Sequence, residues 1–203
     1  MTLITSKSQS IAATPLVAHC PALFLAAPAS GQGKTTITAA LARYHKDLGR
    51  NVRVFKMGPD YLDPQILEQA SGQPVTQLDL WMAGTEYCRH QFYLAAQTAD
   101  LILVEGAMGL FDGEPSSADL ASTFNIPVAL VMDVKGMAQT AAAVALGLAN
   151  FRDDVEFYGL VANNCGTQRH AQLISDALDG RMPLLANLAK DPEISLPERH
   201  LGL

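Results

Sequence analysis

No two of the three cysteines, Cys20, Cys88 and Cys165, form a CxxC pair. An odd, sparse set of thiols points to a reducing compartment and free cysteines rather than a disulfide framework. None sits in a Gly-x-Cys-x-Gly elbow after a strand, so no thiol glutaminase site is visible. Basic residues are in the minority: 14 Lys and Arg against 20 Asp and Glu give a net charge of −6. That argues against a general nucleic-acid binder, although a local positive site can exist inside an acidic protein. No stretch reads as a membrane span. Residues 11–29 are apolar, but Pro15, His19, Pro21 and Pro28 interrupt them. The first ten residues carry only Lys7 as a positive charge, which is not the head of a signal peptide. Internal repeats, low-complexity runs and linkers are also missing.

The 203 residues, 49% hydrophobic and 17% charged, exclude disorder as the dominant state and fit one domain. The expected organisation is a mobile leader over 1–20 and a cytoplasmic domain over 21–203. Apolar runs and helical patterns alternate. Strands are expected at 22–27, 52–57, 101–105, 128–133, 158–163 and 183–188. Helices are expected at 34–48, 64–70, 85–98, 137–150 and 167–178, with Thr85 as an N-cap and Gly49 as a left-handed cap. Ile37, Leu41, Tyr44 and Leu48 are spaced as one helical face, as are Ala171, Ile174 and Leu178. The helix with Ala141, Ala142, Ala143, Ala145 and Gly147 suits close packing in the core or across a homodimer. Residues 190–203 read as an irregular exit. The fold class is α/β: a three-layer parallel sheet with its strands buried on both faces, and APASGQGKTT, placed after the first strand, gives it P-loop NTPase architecture.

Ligands of such sheets bind beyond the carboxyl ends of the strands, and polar residues collect at five of those ends here. APASGQGKTT, residues 27–36, lies between a strand and a helix, the setting a phosphate loop needs. Backbone N–H groups of Ser30, Gly31, Gln32 and Gly33 would surround phosphate oxygens, helped by the helix N-terminus and by Thr36. Lys34 would reach the β- and γ-phosphates of ATP, and the Thr35 hydroxyl would hold Mg²⁺. Pro28 stands where the standard pattern has glycine. Ala29 stands where partition-type switch ATPases carry a second lysine.

Glu105 ends an apolar strand, the place of an acid near Mg²⁺. Asp60 and Asp63 in KMGPDYLDP, and Asp112 in GLFDG, are further candidates for the metal shell, with Asp60 the third metal residue beside Thr35 and Glu105. Asp63 equally suits a helix cap. Lys56 would stabilise charge developing in phosphoryl transfer. Tyr61 lines a pocket or packs. Asn163 pairs with an adenine edge or forms a turn. Asp133 orients the loop that follows it, and Trp81 is packing or a pocket wall.

APASGQGKTT, KMGPDYLDP, LDLWM (78–82), LVEGAMGLFDG (103–113) and RHLGL (199–203) together resemble the N-terminal domain of the cobyrinic acid a,c-diamide synthase family, including its hydrogenobyrinic acid branch. The resemblance runs in order from 21 to 203, and Pro28 fits that family's form of the loop. It implies a fold similar to dethiobiotin synthetase and a carbon–nitrogen ligase that binds Mg-ATP. Two side-chain carboxylates of a corrinoid polycarboxylic acid would become acyl phosphates, and ammonia would displace phosphate to give amides in cobalamin biosynthesis. It carries over Asp60, Tyr61, Asp63 and Asp112 as substrate or metal-site residues. The family takes ammonia from glutamine through a C-terminal glutaminase domain; the sequence stops where that hand-over is expected, so free ammonia is the alternative donor. Competing readings are another ligase on this fold (a nickel-tetrapyrrole amidase, or one like dethiobiotin synthetase) and a partition-type switch ATPase. The partners expected are the corrinoid acid and a source of ammonia, with neither nucleic acid nor membrane.

Overall fold

The computed structural model describes residues 18–191. The expectations for the leader over 1–17, and for the tail over 192–203 with RHLGL, lie outside those residues. Seven strands form one all-parallel sheet. In chain order the elements are β1 (Ala22–Ala26), α1 (Lys34–Asp47), β2 (Val52–Met57), α2 (Asp63–Ser71), β3 (Thr76–Leu78), α3 (Thr85–Ala96), β4 (Leu101–Glu105), α4 (Ser117–Thr123), β5 (Val128–Asp133), α5 (Gln139–Ala149), β6 (Phe157–Asn163), α6 (Gln168–Leu178) and β7 (Leu184–Asn187). Across the sheet the order is β3-β2-β4-β1-β5-β6-β7.

The strands are apolar at consecutive positions because both faces are covered. Phe24 and Ala26 pack on one side with Phe55, Val104 and residues of α3 and α4. Leu25 points to the other side, with Val54, Leu103, Ile37 of α1 and Leu67 of α2. Leu130 and Met132 of β5 pack with α5 and α6. From β1 the chain lays down β2 and β3 on one side, returns to β4 beside β1, and then crosses to β5, β6 and β7 on the other side. The crevice at the carboxyl end of β1 is therefore the switch point at which this architecture places a ligand.

Several expectations change in detail. β3 and α4 are additional elements, making seven strands and six helices among the described residues. β3 is three residues, TQL, too short and too polar to show a period. α4 carried a legible signal, Ser116-x-x-Asp119, a reciprocal capping box in which each side chain accepts from the other residue's backbone N–H. Thr85 is the first residue of α3, not its cap; Gly84 takes that position. Thr167 is a cap rather than a helical residue, its hydroxyl accepting from His170 N at 3.1 Å. Tyr44 and Leu48 of the expected α1 face are 61% and 56% exposed. The core face of α1 runs through Ile37, Thr38 and Ala42 instead, because small residues let the helix approach the sheet closely. Gly49, at φ +80°, follows that helix, its N–H bonded to Lys46 O. Ala171, Ile174 and Leu178 are buried together as expected. In α5, Ala141, Ala142 and Ala145 are core, while Ala143 and Gly147 are exposed. The three cysteines are free thiols. Among the described residues no helix is long and apolar enough to cross a membrane.

Candidate functional site

The loop between β1 and α1 is held from the β5–β6 side. The Asn163 amide donates to Gln32 O at 3.0 Å, and the Gln32 side-chain oxygen accepts from Asp133 N at 2.9 Å. Asp133 in turn accepts from Lys135 N and from the Asn164 amide, both at 2.8 Å, so it orients its own loop. Gly33 has φ +92°, and a Cβ there would collide with Asn163 Nδ2. Only glycine meets both demands. No side chain caps α1. Its first N–H groups, pointing into the crevice with the positive end of the helix dipole, are open to an anion. Ser30 and Gly31 are exposed on this rim, whereas Thr36 faces a shallow groove between α1 and α2.

Lys34 is buried and donates to Met108 O at 2.8 Å and Ala29 O at 3.4 Å. Burial, then the nearby Lys56 ammonium, lowers its pKa; Glu105, Asp63 and Asp112 pull the other way. Both carbonyl partners are neutral, and among the described residues no direct ion pair holds the ammonium there.

Val54 and Leu103 are core residues on the α1 side of the sheet. Two positions on, the same face carries Lys56 and Glu105, which are register partners of β2 and β4. Both are almost fully buried, Lys56 at 3% and Glu105 at 1% exposure. Lys56 is thus no surface lysine. Its Nζ lies 3.7 Å from Glu105 Oε1, 3.8 Å from Asp63 Oδ2 and 3.9 Å from Asp60 Oδ2, and donates to Gly106 O at 3.2 Å. Glu105 Oε1 also accepts from the Thr35 hydroxyl at 2.8 Å, while Oε2 is buried without a hydrogen-bond partner. Burial pushes the Glu105 carboxyl up to about 7, against the opposing pull of Lys56.

Asp60 accepts from Leu62 N at 2.9 Å and Asp63 N at 3.0 Å, forming the turn that starts α2. Burial opposes its ionisation, but the hydrogen bonds from Asp63 and Leu62 and the Lys56 charge hold its carboxyl below the usual range. Asp63 does not cap α2: Leu62 holds the N-cap position, without a side-chain cap bond, and Asp63 is the first helical residue, its carboxylate turned to Lys56. Tyr61 is 83% exposed and does not pack in the core. Asp112 Oδ2 accepts from Gly109 N at 3.1 Å, closing the loop after β4. Among the described residues no three His, Cys, Asp or Glu side chains are arranged to hold a metal ion. Lys56 occupies the space between the three carboxylates.

The structure adds a second role for Gln32 and two residues that the motifs did not single out, Ser117 and Met108. Gln32 fixes the loop by its side chain as well as its backbone. Ser117, the first residue of α4, donates to Ala107 O and accepts from Ala107 N, clamping the segment after β4. Met108, in left-handed backbone at φ +51°, supplies the carbonyl that holds Lys34. Their long sequence separations gave no local signal, apart from the capping box that marks α4.

Residues 23–203 match the family described as the CobQ/CobB/MinD/ParA nucleotide binding domain. The chain is 57% identical over 186 residues to a hydrogenobyrinate a,c-diamide synthase of Pseudomonas aeruginosa, covering 92% of this chain and 43% of that protein. It is 53% identical over 175 residues to a cobyrinate a,c-diamide synthase of Herminiimonas arsenicoxydans, covering 86% of this chain and 39% of that protein. The chain thus spans less than half the length of these relatives. Among solved structures, a nucleotide-binding protein in complex with ADP from Archaeoglobus fulgidus is similar with TM-score 0.56 and 16% identity, over 85% of this chain and 83% of that one. FtsY of Thermotoga maritima is similar with TM-score 0.57 and 17% identity, over 87% of this chain and 67% of that one. At these identities the likeness is one of fold.

Proposed function

Since the chain belongs to the CobQ/CobB/MinD/ParA nucleotide binding domain family, we propose that it performs the ATP-dependent step of a carbon–nitrogen ligase acting on a corrinoid polycarboxylic acid. The observation that carries this reading is the 57% identity, over 92% of the chain, to a hydrogenobyrinate a,c-diamide synthase. The site's chemistry supports it. An uncapped helix N-terminus, Lys34 and a buried acid at a neighbouring strand end suit a nucleotide triphosphate. The residues also fit Mg²⁺: Glu105 Oε2 is buried and unpartnered, and the Thr35 hydroxyl adjoins the other oxygen. Mg²⁺ takes oxygen donors and typically only one or two protein groups beside phosphate. When bound, it would spread the negative charge of the transferring phosphoryl group.

A substrate carboxylate oxygen would attack the γ-phosphorus as the bond to the bridging oxygen breaks, giving an acyl phosphate and ADP. Ammonia would then attack the acyl carbon, phosphate would leave with its electron pair, and the nitrogen would lose a proton to give the amide. The chain's task is positioning and charge neutralisation. Lys34 would exchange its two carbonyl partners for phosphate oxygens. Lys56 would keep Glu105, Asp60 and Asp63 charged and in place at the strand ends, and so act through them. Asp60 and Asp63 set the turn that presents Tyr61 to the acceptor, and Asp112 shapes the loop on the facing side. Asn163, engaged with Gln32 O, serves the loop rather than an adenine edge. Ammonia would come from a glutaminase domain like that expected of the family, or free from solution.

The test is ADP release with ammonia supplied. Turnover should require both Mg-ATP and cobyrinic or hydrogenobyrinic acid. The reading fails if ADP release is the same with and without either acid.

A further inference from the structure

Five large apolar side chains lie exposed at three neighbouring strand ends. Tyr61 and Leu62 follow β2, Trp81 and Met82 follow β3, and Met108 follows β4. Trp81 is 79% and Met82 68% exposed. Their exposure is built in. Leu80 packs into the core cluster of Met57 and Leu110. The Asp79 carboxylate accepts from Trp81 N and Met82 N, both at 2.8 Å, and Ala83 N returns to Asp79 O. This turn anchors Leu80 inward and fixes the next two residues on the outside. The three loops are joined: Gly58 N donates to Leu78 O at 2.9 Å, Gln77 donates to Asp60 O, and Ala107 borders Gly58.

This apolar edge is continuous with the phosphate loop through Met108. The Met108 carbonyl holds Lys34, while its side chain is 51% exposed. We propose that Trp81, Met82 and Met108 form a ledge that takes the flat face of a macrocyclic acid and sets which of its carboxylates reaches the phosphoryl group. This deepens the proposed function and rests on it. In the sheet order β3 lies three strands from β1. At roughly 4.8 Å per strand that is about 14 Å from the phosphate loop to the Trp81 turn. A tetrapyrrole-sized ring with its acid arms spans such a distance, and a small single acid does not. An aromatic ring and two thioethers suit a broad, conjugated, weakly polar surface: the indole stacks and the methionines adapt to an irregular outline. The ledge carries no cation, so the acid groups of the ligand are left for the phosphate-loop end of the site.

Trp81 is the sole tryptophan of the chain, so its emission reports on the ledge directly. Binding of cobyrinic acid and of ATP is measured separately by titration on the full chain with Mg²⁺. Trp81→Ala should weaken cobyrinic acid binding at least tenfold, with ATP affinity unchanged within twofold and the unfolding midpoint preserved. Trp81→Phe should recover most of the loss. Tyr44→Ala, at another exposed aromatic far along α1, should change neither constant. If the wild type binds cobyrinic acid and Trp81→Ala and Met82→Ala bind it as tightly, the ledge is wrong while the corrinoid reading stands. If the wild type binds ATP but neither cobyrinic nor hydrogenobyrinic acid, the corrinoid reading falls and takes the ledge with it.

Discussion

Replacing Lys56 by methionine keeps the length of the side chain and deletes a charge that three carboxylates face within 4 Å. Breaking a buried pair by removing one partner typically costs about 3–5 kcal/mol, because the remaining charge stays desolvated. Asp63 and Asp60 retain some exposure, 13% and 27% of their side chains, so most of the cost falls on Glu105. Thr35 still donates to Glu105, which places the expected loss at the lower end, about 3 kcal/mol at pH 8. The pH dependence follows from the carboxyl that burial raises to about 7. Its folded pKa lies above the ordinary value of 4.5, so the folded protein binds this proton more tightly than the unfolded chain does. The associated stability is fully present below 4.5 and is lost as pH rises through 7. Without Lys56 the same carboxyl is raised further, so the deficit of Lys56→Met is largest at pH 8 and shrinks towards pH 5, where Glu105 carries a proton. Urea unfolding of wild type, Lys56→Met, Glu105→Gln and the double variant, at both pH values and with chelator, measures each corner of the cycle. Glu105→Gln should restore most of the stability that Lys56→Met removes at pH 8. A deficit independent of pH, or a double variant no more stable than Lys56→Met, would refute the reasoning.

Gly33→Ala should lower ATP affinity at least tenfold in a calorimetric titration and cost about 1–3 kcal/mol of stability, since φ +92° and the contact with Asn163 both resist a Cβ. Asn163→Ala removes the bond to Gln32 O; ATP binding should weaken several-fold, and combining it with Gly33→Ala should recover part of the lost stability by clearing the contact. Glu105→Gln should abolish Mg-dependent ADP release while the metal-free protein unfolds at or above the wild-type midpoint at pH 8. Ser116→Ala breaks the capping box of α4 and should cost about 1 kcal/mol in thermal unfolding, with ATP affinity intact because the first-turn backbone bonds of the helix remain.

Much of the site was legible as a set of strand ends. Mostly apolar runs marked β1, β2, β4, β5 and β6, and polar residues collected beyond their ends. The glycine and lysine spacing after β1 marked the phosphate loop, because backbone curvature and a helix start are local properties. Asp60 and Asp63 were legible as candidates, but not their division of labour: which one holds the backbone of the turn before α2 depends on the rotation of that turn. The α1 face was misread at Tyr44 and Leu48, where periodicity outran the sheet that the helix covers. β3 escaped because three residues carry no period.

The sequence by itself determined the alternation of strand and helix, the loop that can curl around phosphate, and the acid at the end of β4. Only the tertiary structure decided what these residues meet. β4 inserts between β2 and β1, and that single choice of neighbours brings Lys56 beside Glu105, far apart in sequence but partners in register, turning a strand-end cation into the buried centre of three carboxylates. It also carries Met108 to Lys34 and lines up the loops after β2, β3 and β4 on one side of the phosphate loop. Sequence patterns encode which face of an element is apolar. Strand order is set by how long-range packing closes the sheet, and no local pattern contains it.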